Sequence, residues 1–126
     1  MTIGAIGIDL VAVTRVQRML DRVGDRALAR LLTDQERAYC VTMAVPARHV
    51  AARVAAKEAV YKALQGTEHA RGIGWREIEV VRDAFGRPSI LLHGRAAERL
   101  RDVGGTSVLV SLTHTDDLAA AMAVVA

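Results

Sequence analysis

The spacing of apolar positions changes several times along this chain, and each change marks an element. Ile3, Ile6 and Ile8 belong to a short β-branched, glycine-broken run that predicts a buried strand ending at Asp9. Val16, Met19, Leu20 and Val23 then recur at helical spacing beside Thr14 and Gln17, a potential capping box, and Gly24 is the expected stop. Thr33 and Glu36 repeat the capping signal and predict a short helix through Arg37, Ala38, Tyr39 and Cys40. Pro46 opens the longest helical stretch, which runs to Gln65 and stops at Gly66. The polar, glycine-containing segment from Thr67 to Gly74 is expected to be a loop.

Beyond that loop the spacing becomes that of strands. Ile78 and Val80 alternate with Glu77 and Glu79, turn chemistry follows from Asp83 to Pro88, and Ser89 to Leu92 returns, so the stretch predicts a hairpin. A helix over 95–103 ending at Gly104-Gly105, then strands near 107–112 and 118–125, complete the chain. Strands at the front, helices in the middle and strands at the back predict an α+β fold in a single domain spanning 1–126. Its small, mostly antiparallel sheet is expected to pack on the long alanine-rich helix. A sheet this small, with so few large side chains, is expected to be completed by another subunit.

The long helix is apolar almost all the way round. At about 100° per residue, Ala51, Ala52, Ala55, Ala56, Ala59 and Ala63 sweep one broad side, while Val50, Val54, Tyr61 and Leu64 take another. Charges on such a helix are partly desolvated and need a partner or a ligand. Glu58 and Lys62, four residues apart, form either an exposed ion pair worth about 0.2–0.5 kcal/mol or a pair of ligands. Lys57 lies within the Val50–Tyr61 stripe, where it either snorkels to the surface or meets a ligand.

Composition narrows the picture without deciding it. Hydrophobic residues make up 52% and aromatic residues 3%, so the core is built from Ala, Val, Leu and Ile and its backbones can approach closely. The net charge of +3 suits a solvated surface, an anionic ligand or an acidic partner equally. Tyr39, Tyr61, Trp75 and Phe85 are too scattered to form a base-stacking sheet, so no nucleic acid partner is expected. No apolar run approaches the roughly 20 residues of a membrane span and the opening residues lack a basic leader, so no membrane partner is expected. The single cysteine, Cys40, permits neither an internal disulfide nor a zinc spacing and fits a reducing cytoplasm.

Three groups of residues remain as candidate chemistry. Asp9 and Glu58 together offer two hard oxygen ligands, a set that suits magnesium, which takes few carboxylates and completes its octahedron with water and phosphate oxygens. Each alone is equally an ordinary turn or surface residue. Ser111 and Thr113 share one strand face, with His114 beside them, and can hydrogen-bond phosphate. A triad of Ser111, His114 and Asp116 is unattractive because side chains so close in sequence seldom reach that geometry. Gly72-Ile73-Gly74 is only a fragment of a phosphate loop. Arg15, Arg18 and Arg22 form a cationic stripe opposite the apolar side of the first helix, either a solvated face or a dock for an acidic partner.

Three separated motifs tie these groups together: Gly7-Ile8-Asp9-Leu10, then Ala52-Arg53-Val54-Ala55-Ala56-Lys57-Glu58-Ala59 with Lys62, then Val110-Ser111-Leu112-Thr113-His114-Thr115. In order, spacing and total length they resemble the holo-acyl-carrier-protein synthase family, the small phosphopantetheinyl transferases. The resemblance implies transfer of phosphopantetheine from coenzyme A to a serine of an acyl carrier protein. It implies that Asp9 and Glu58 hold Mg2+ against the coenzyme A diphosphate, that Lys62 and His114 bind its phosphates, and that Arg53, Lys57 and Ser111 assist. It also implies a homotrimer with sites between subunits and docking of the carrier on the Arg15 stripe. The base that takes the serine proton stays open between Glu58 and a metal-bound water. Val50 and Val54 replace larger family side chains, and Thr113 replaces a serine.

Overall fold

The long helix organises the molecule because so much of its circumference must be hidden from water. The computed structural model describes residues 3–65 and 72–126. Its elements run β1 (Ala5–Ala12), α1 (Val13–Val23), α2 (Asp25–Leu31), α3 (Asp34–Val41), α4 (Pro46–Leu64), a turn of 3₁₀ helix (Trp75–Glu77), β2 (Ile78–Arg82), β3 (Pro88–Leu92), α5 (Gly94–Asp102), β4 (Val108–His114) and β5 (Leu118–Val125). Twelve of the nineteen residues of α4 are buried, including Arg53 and Lys57. The expected stop at Gly66 and most of the expected 67–74 loop lie outside the described residues.

Two antiparallel sheets surround α4: a three-stranded sheet in the order β1-β5-β4, and the β2-β3 hairpin. The α+β architecture expected from the sequence is therefore the observed one, with α4 against the inner face of β1 and β5. Gly7 sets the distance of that contact, since a Cβ there would overlap the Ala59 carbonyl oxygen. At the far end of α4, the buried Arg99 of α5 donates through Nε to the Leu64 carbonyl oxygen at 2.7 Å, satisfying a terminal acceptor of the helix.

Several boundaries differ from the sequence expectation for identifiable reasons. β1 continues three residues past Asp9, because Leu10, Val11 and Ala12 pair with Ala120, Ala119 and Leu118; Asp9 lies within the strand and not at its tip. Thr14 does not cap α1. Its helix starts at Val13, whose N–H donates to the Asp117 carbonyl oxygen at 2.9 Å. Gly24, at φ 62°, ends α1 as expected, but it leads directly into the unanticipated α2, which buries Ala27, Leu28 and Leu31. The capping box of α3 forms as expected, with Thr33 Oγ1 accepting from the Glu36 N–H and the Glu36 carboxylate accepting from the Thr33 N–H.

Alternation along β1 separates two faces. Gly7 and Val11 are buried and Asp9 is half-buried on the inner face, whereas Ile6, Ile8 and Leu10 on the outer face are each more than 60% exposed. Ladder register sets Ile8 beside Met122 and Met122 beside Ser111, and sets Ile6 beside Val124 and Val124 beside Leu109. The outer surface of the sheet is thus a largely apolar face.

Candidate active site

The close approach at Gly7 brings the next inward residue of β1, Asp9, against the last turns of α4. Lys62 Nζ donates to Asp9 Oδ1 at 2.9 Å and to the Ile8 carbonyl oxygen at 3.0 Å, fixing the carboxylate relative to the helix. Lys62 is half exposed, while the Asp9 side chain is largely covered. The helical Glu58–Lys62 ion pair is not what forms: Lys62 pairs with Asp9, and Glu58 has no ion pair among the described residues.

Asp9 and Glu58 line one cavity of about 390 Å³ together with Arg15. Val16, Met19, Leu31, Val54 and Trp75 supply its apolar wall. Glu58 also lines a neighbouring cavity of about 200 Å³ with Lys57, Tyr61, Ile73, Gly74, Trp75 and Ile78. Two carboxylates reaching one hollow form a hard oxygen donor set that fits magnesium. Among the described residues no three His, Cys, Asp or Glu side chains gather to complete a metal shell. The remaining ligands of a magnesium ion would then be water and substrate oxygens, as that ion prefers. Among the described residues neither cavity is lined by Ser, Thr or Cys, and the one hydroxyl in their walls is the phenol of Tyr61. The arrangement can hold a cation and an anionic phosphate beside the Lys62 ammonium.

Lys57 requires a correction. It does not snorkel, and its ammonium has no proton left for a phosphate. It is 1% exposed, and Nζ donates to Glu36 Oε1 at 2.7 Å, the Trp75 carbonyl oxygen at 2.9 Å and the Ile78 carbonyl oxygen at 2.6 Å. Burial draws this ammonium below its usual range, and the Glu36 carboxylate opposes that shift. Glu36 is equally enclosed and accepts from the Val80 N–H at 2.9 Å. Nearby, Glu79 accepts from the Thr33 hydroxyl and meets His93 Nε2 at 3.0 Å. Burial acts to raise the Glu79 carboxyl, but these hydrogen bonds and the charges of His93 and Lys57 hold it below its usual value.

Other candidates gather toward the start of α4. The buried Arg53 stacks its guanidinium 4.4 Å from the Tyr39 ring centroid and donates through Nη1 to the His49 carbonyl oxygen at 3.3 Å. Arg82 approaches the same ring at 5.0 Å, and the His49 and His114 rings meet edge-on at 5.4 Å. Burial, then the neighbouring His114, Arg53, Arg82 and Arg48, hold His49 below its usual pKa. His114 does not line the Asp9–Glu58 cavity within one chain. Ser111 stands on the outer sheet face, where alternation separates it from His114; Thr113 shares its face, as the sequence predicts. Arg15, Arg18 and Arg22 are all exposed on α1, and Arg15 alone of them reaches the cavity.

Sequence reasoning missed Glu36 as the partner of Lys57, His49 as the neighbour of His114, and Trp75 as a wall residue. The available signal for Trp75 was its place as the single tryptophan directly after the Gly72–Gly74 segment.

The pattern of the 4′-phosphopantetheinyl transferase superfamily matches residues 5–122 of this chain. The chain is 45% identical over 122 residues to a holo-[acyl-carrier-protein] synthase of Solidesulfovibrio magneticus, covering 97% of each protein. Its fold is similar to the crystal structure of the Neisseria meningitidis holo-[acyl-carrier-protein] synthase, with a TM-score of 0.86, 28% identity and 99% of each chain covered. It is also similar to a Bacillus anthracis holo-(acyl-carrier-protein) synthase in complex with CoA (3′,5′-ADP), with a TM-score of 0.79 and 30% identity; 99% of this chain and 97% of that one are covered.

Proposed function

This chain belongs to the 4′-phosphopantetheinyl transferase superfamily as a transferase of the holo-acyl-carrier-protein synthase type, and from that premise we propose how its residues act. It transfers the phosphopantetheine arm of coenzyme A to a serine of an apo-acyl carrier protein. One magnesium ion is held by Asp9 and Glu58. The observation that carries this reading is the single cavity lined by both carboxylates.

In the reaction the serine Oγ attacks the β-phosphorus of coenzyme A, the new P–O bond forms, the bond to the leaving 3′,5′-ADP breaks, and the serine proton passes to a base. Magnesium, when bound, neutralises the diphosphate and the charge that develops as the leaving phosphate departs. Lys62 orients Asp9 through its 2.9 Å contact and adds positive charge beside the phosphates. Glu58, without an ion pair among the described residues, and a water on the magnesium ion are the two candidates to accept the serine proton. No covalent enzyme intermediate is required.

His114, Arg53 and Ser111 bind coenzyme A phosphates from a neighbouring subunit of a homotrimer. Support for the assembly comes from the uncovered Ile6, Ile8 and Leu10 face, because a monomer seldom exposes so continuous an apolar surface. Ser111 stands in the same row as Ile8, on the face a second copy would cover. Arg15, Arg18 and Arg22 dock the acidic carrier, and the presence of Arg15 on the cavity wall joins that dock to the site of transfer. The single, buried and free Cys40 thiol suits the cytoplasm as the place of the reaction.

The test is intact-mass analysis of an apo-acyl carrier protein incubated with this protein, coenzyme A and magnesium. A phosphopantetheine-sized gain that disappears with chelator is expected; an unchanged carrier mass overturns the reading.

A further inference from the structure

Lys57, paired with the buried Glu36, lines the smaller of the two cavities beside Glu58, yet with all three ammonium protons taken it belongs to neither the donor set nor the phosphate-facing charges. Burying two charges costs desolvation that their attraction barely repays, so such a pair is a poor stabiliser and a good way to fix one geometry. What it fixes here is specific. Lys57 takes the carbonyl oxygens of Trp75 and Ile78, and Glu36 takes the N–H of Val80, so both ends of the segment from Trp75 to Val80 are tied to charges on α4 and α3. Trp75 lines three cavities: the two that Glu58 lines and a third, of about 320 Å³, with Arg26 and Arg30. Lys57 is next to Glu58 in sequence, so one helical turn carries the proposed metal ligand and the anchor of the wall facing it.

We propose that Lys57 is a positioning residue that acts through Trp75: its buried pair with Glu36 holds the backbone at Trp75 so that this residue forms the common wall of the cavities beside Glu58. Lys57 then governs turnover and not coenzyme A affinity, because it has no proton to offer a ligand. The turnover part rests on the transfer reaction proposed above; the placement of Trp75 does not.

Trp75 is the only tryptophan, so emission excited beyond the tyrosine absorption band reports this wall alone in the unliganded protein. Lys57→Met is the direct variant. The paired Lys57→Met/Glu36→Gln variant, which removes both charges and keeps an acceptor for Val80, serves where the single one does not fold. The expected result is an emission shift in the unliganded protein, a kcat lowered by about tenfold or more, and a KM for coenzyme A within about twofold of the parent. In a Trp75→Ala background the same change lowers kcat by no more than about twofold, the non-additivity of residues acting in series. Unchanged emission overturns the proposal. So does a KM for coenzyme A that rises by about tenfold with kcat retained in both backgrounds, which would make Lys57 a direct ligand. If the parent protein transfers nothing, the proposed reaction fails and the emission shift still decides the role of the pair in placing Trp75.

Discussion

The two faces of β1 differ in a way opposite to that expected of an isolated domain. The inner face, against α4, carries Gly7, Asp9 and Val11, small or polar residues, while the outer face carries Ile6, Ile8 and Leu10 in the open. Large apolar side chains usually occupy the core and small ones need no cover. Here the helix comes so close that only a glycine fits beneath Ala59, and the bulky residues are left to face outward. The inner face therefore serves packing and carries Asp9 to the cavity, while the outer face stays uncovered within one chain.

That contrast can be broken from the inside first. Gly7→Val drives a side chain into the Ala59 carbonyl and is expected to cost about 3 kcal/mol or more, read as a loss of cooperative thermal unfolding at ordinary temperatures. Two residues along the same face, Asp9→Asn is expected to leave the melting temperature within a few degrees while lowering transfer by about 100-fold, the loss of about 2.7 kcal/mol of transition-state stabilisation. Glu58→Gln should behave alike, and the double variant should be little worse than either single one, since the two carboxylates serve one ion. A single variant with near-parental turnover would remove its residue from the site.

The outer face of β1 answers differently to substitution. Ile8→Lys lies one residue from Asp9 yet should leave the fold of the chain intact and abolish association, read by light scattering as the mass of one copy. An unchanged assembly would mean that this face is not the interface. The smallest effect belongs to the margin of the inner face, where His49 meets His114. Burial and neighbouring cations depress the His49 pKa in the folded protein below the ordinary 6.5, so the unfolded chain takes up the proton first as pH falls. The stability in question is present above pH 6.5 and is lost as pH falls through 6.5 toward the lower folded value. His49→Phe should flatten the change in melting temperature between neutral and mildly acidic pH by about 1–3 °C, and an unaltered profile would assign the pH dependence elsewhere.

How much of this the sequence reveals follows from the range of the forces involved. α4 is legible because its cause is local: Pro46 at the first turn and an unbroken alanine-rich run. The α3 capping box and the β2-β3 hairpin are local too, and both form where expected. The end of β1 is not legible, because Leu10 to Ala12 are held by β5, more than a hundred residues away in the chain. The Thr14 cap loses for a similar reason: the Asp117 carbonyl already satisfies the first N–H of α1. For the site, motif resemblance selects Asp9, Glu58 and Lys62, but pairing decides roles. Lys57 and Lys62 look alike along one helix; one is met by Glu36 and two carbonyl oxygens, the other by Asp9, and neither partner lies within reach of helical spacing.

The proposed mechanism stands on Asp9 and Glu58 forming one cation site completed by coenzyme A. Electron paramagnetic resonance of Mn2+, used in place of magnesium, tests it directly by counting bound ion with and without coenzyme A. The expected result is binding that coenzyme A strengthens in the parent protein and that both Asp9→Asn and Glu58→Gln reduce by about tenfold or more, the size of effect expected when a carboxylate ligand is removed. Parental Mn2+ binding by both variants in the presence of coenzyme A would contradict it.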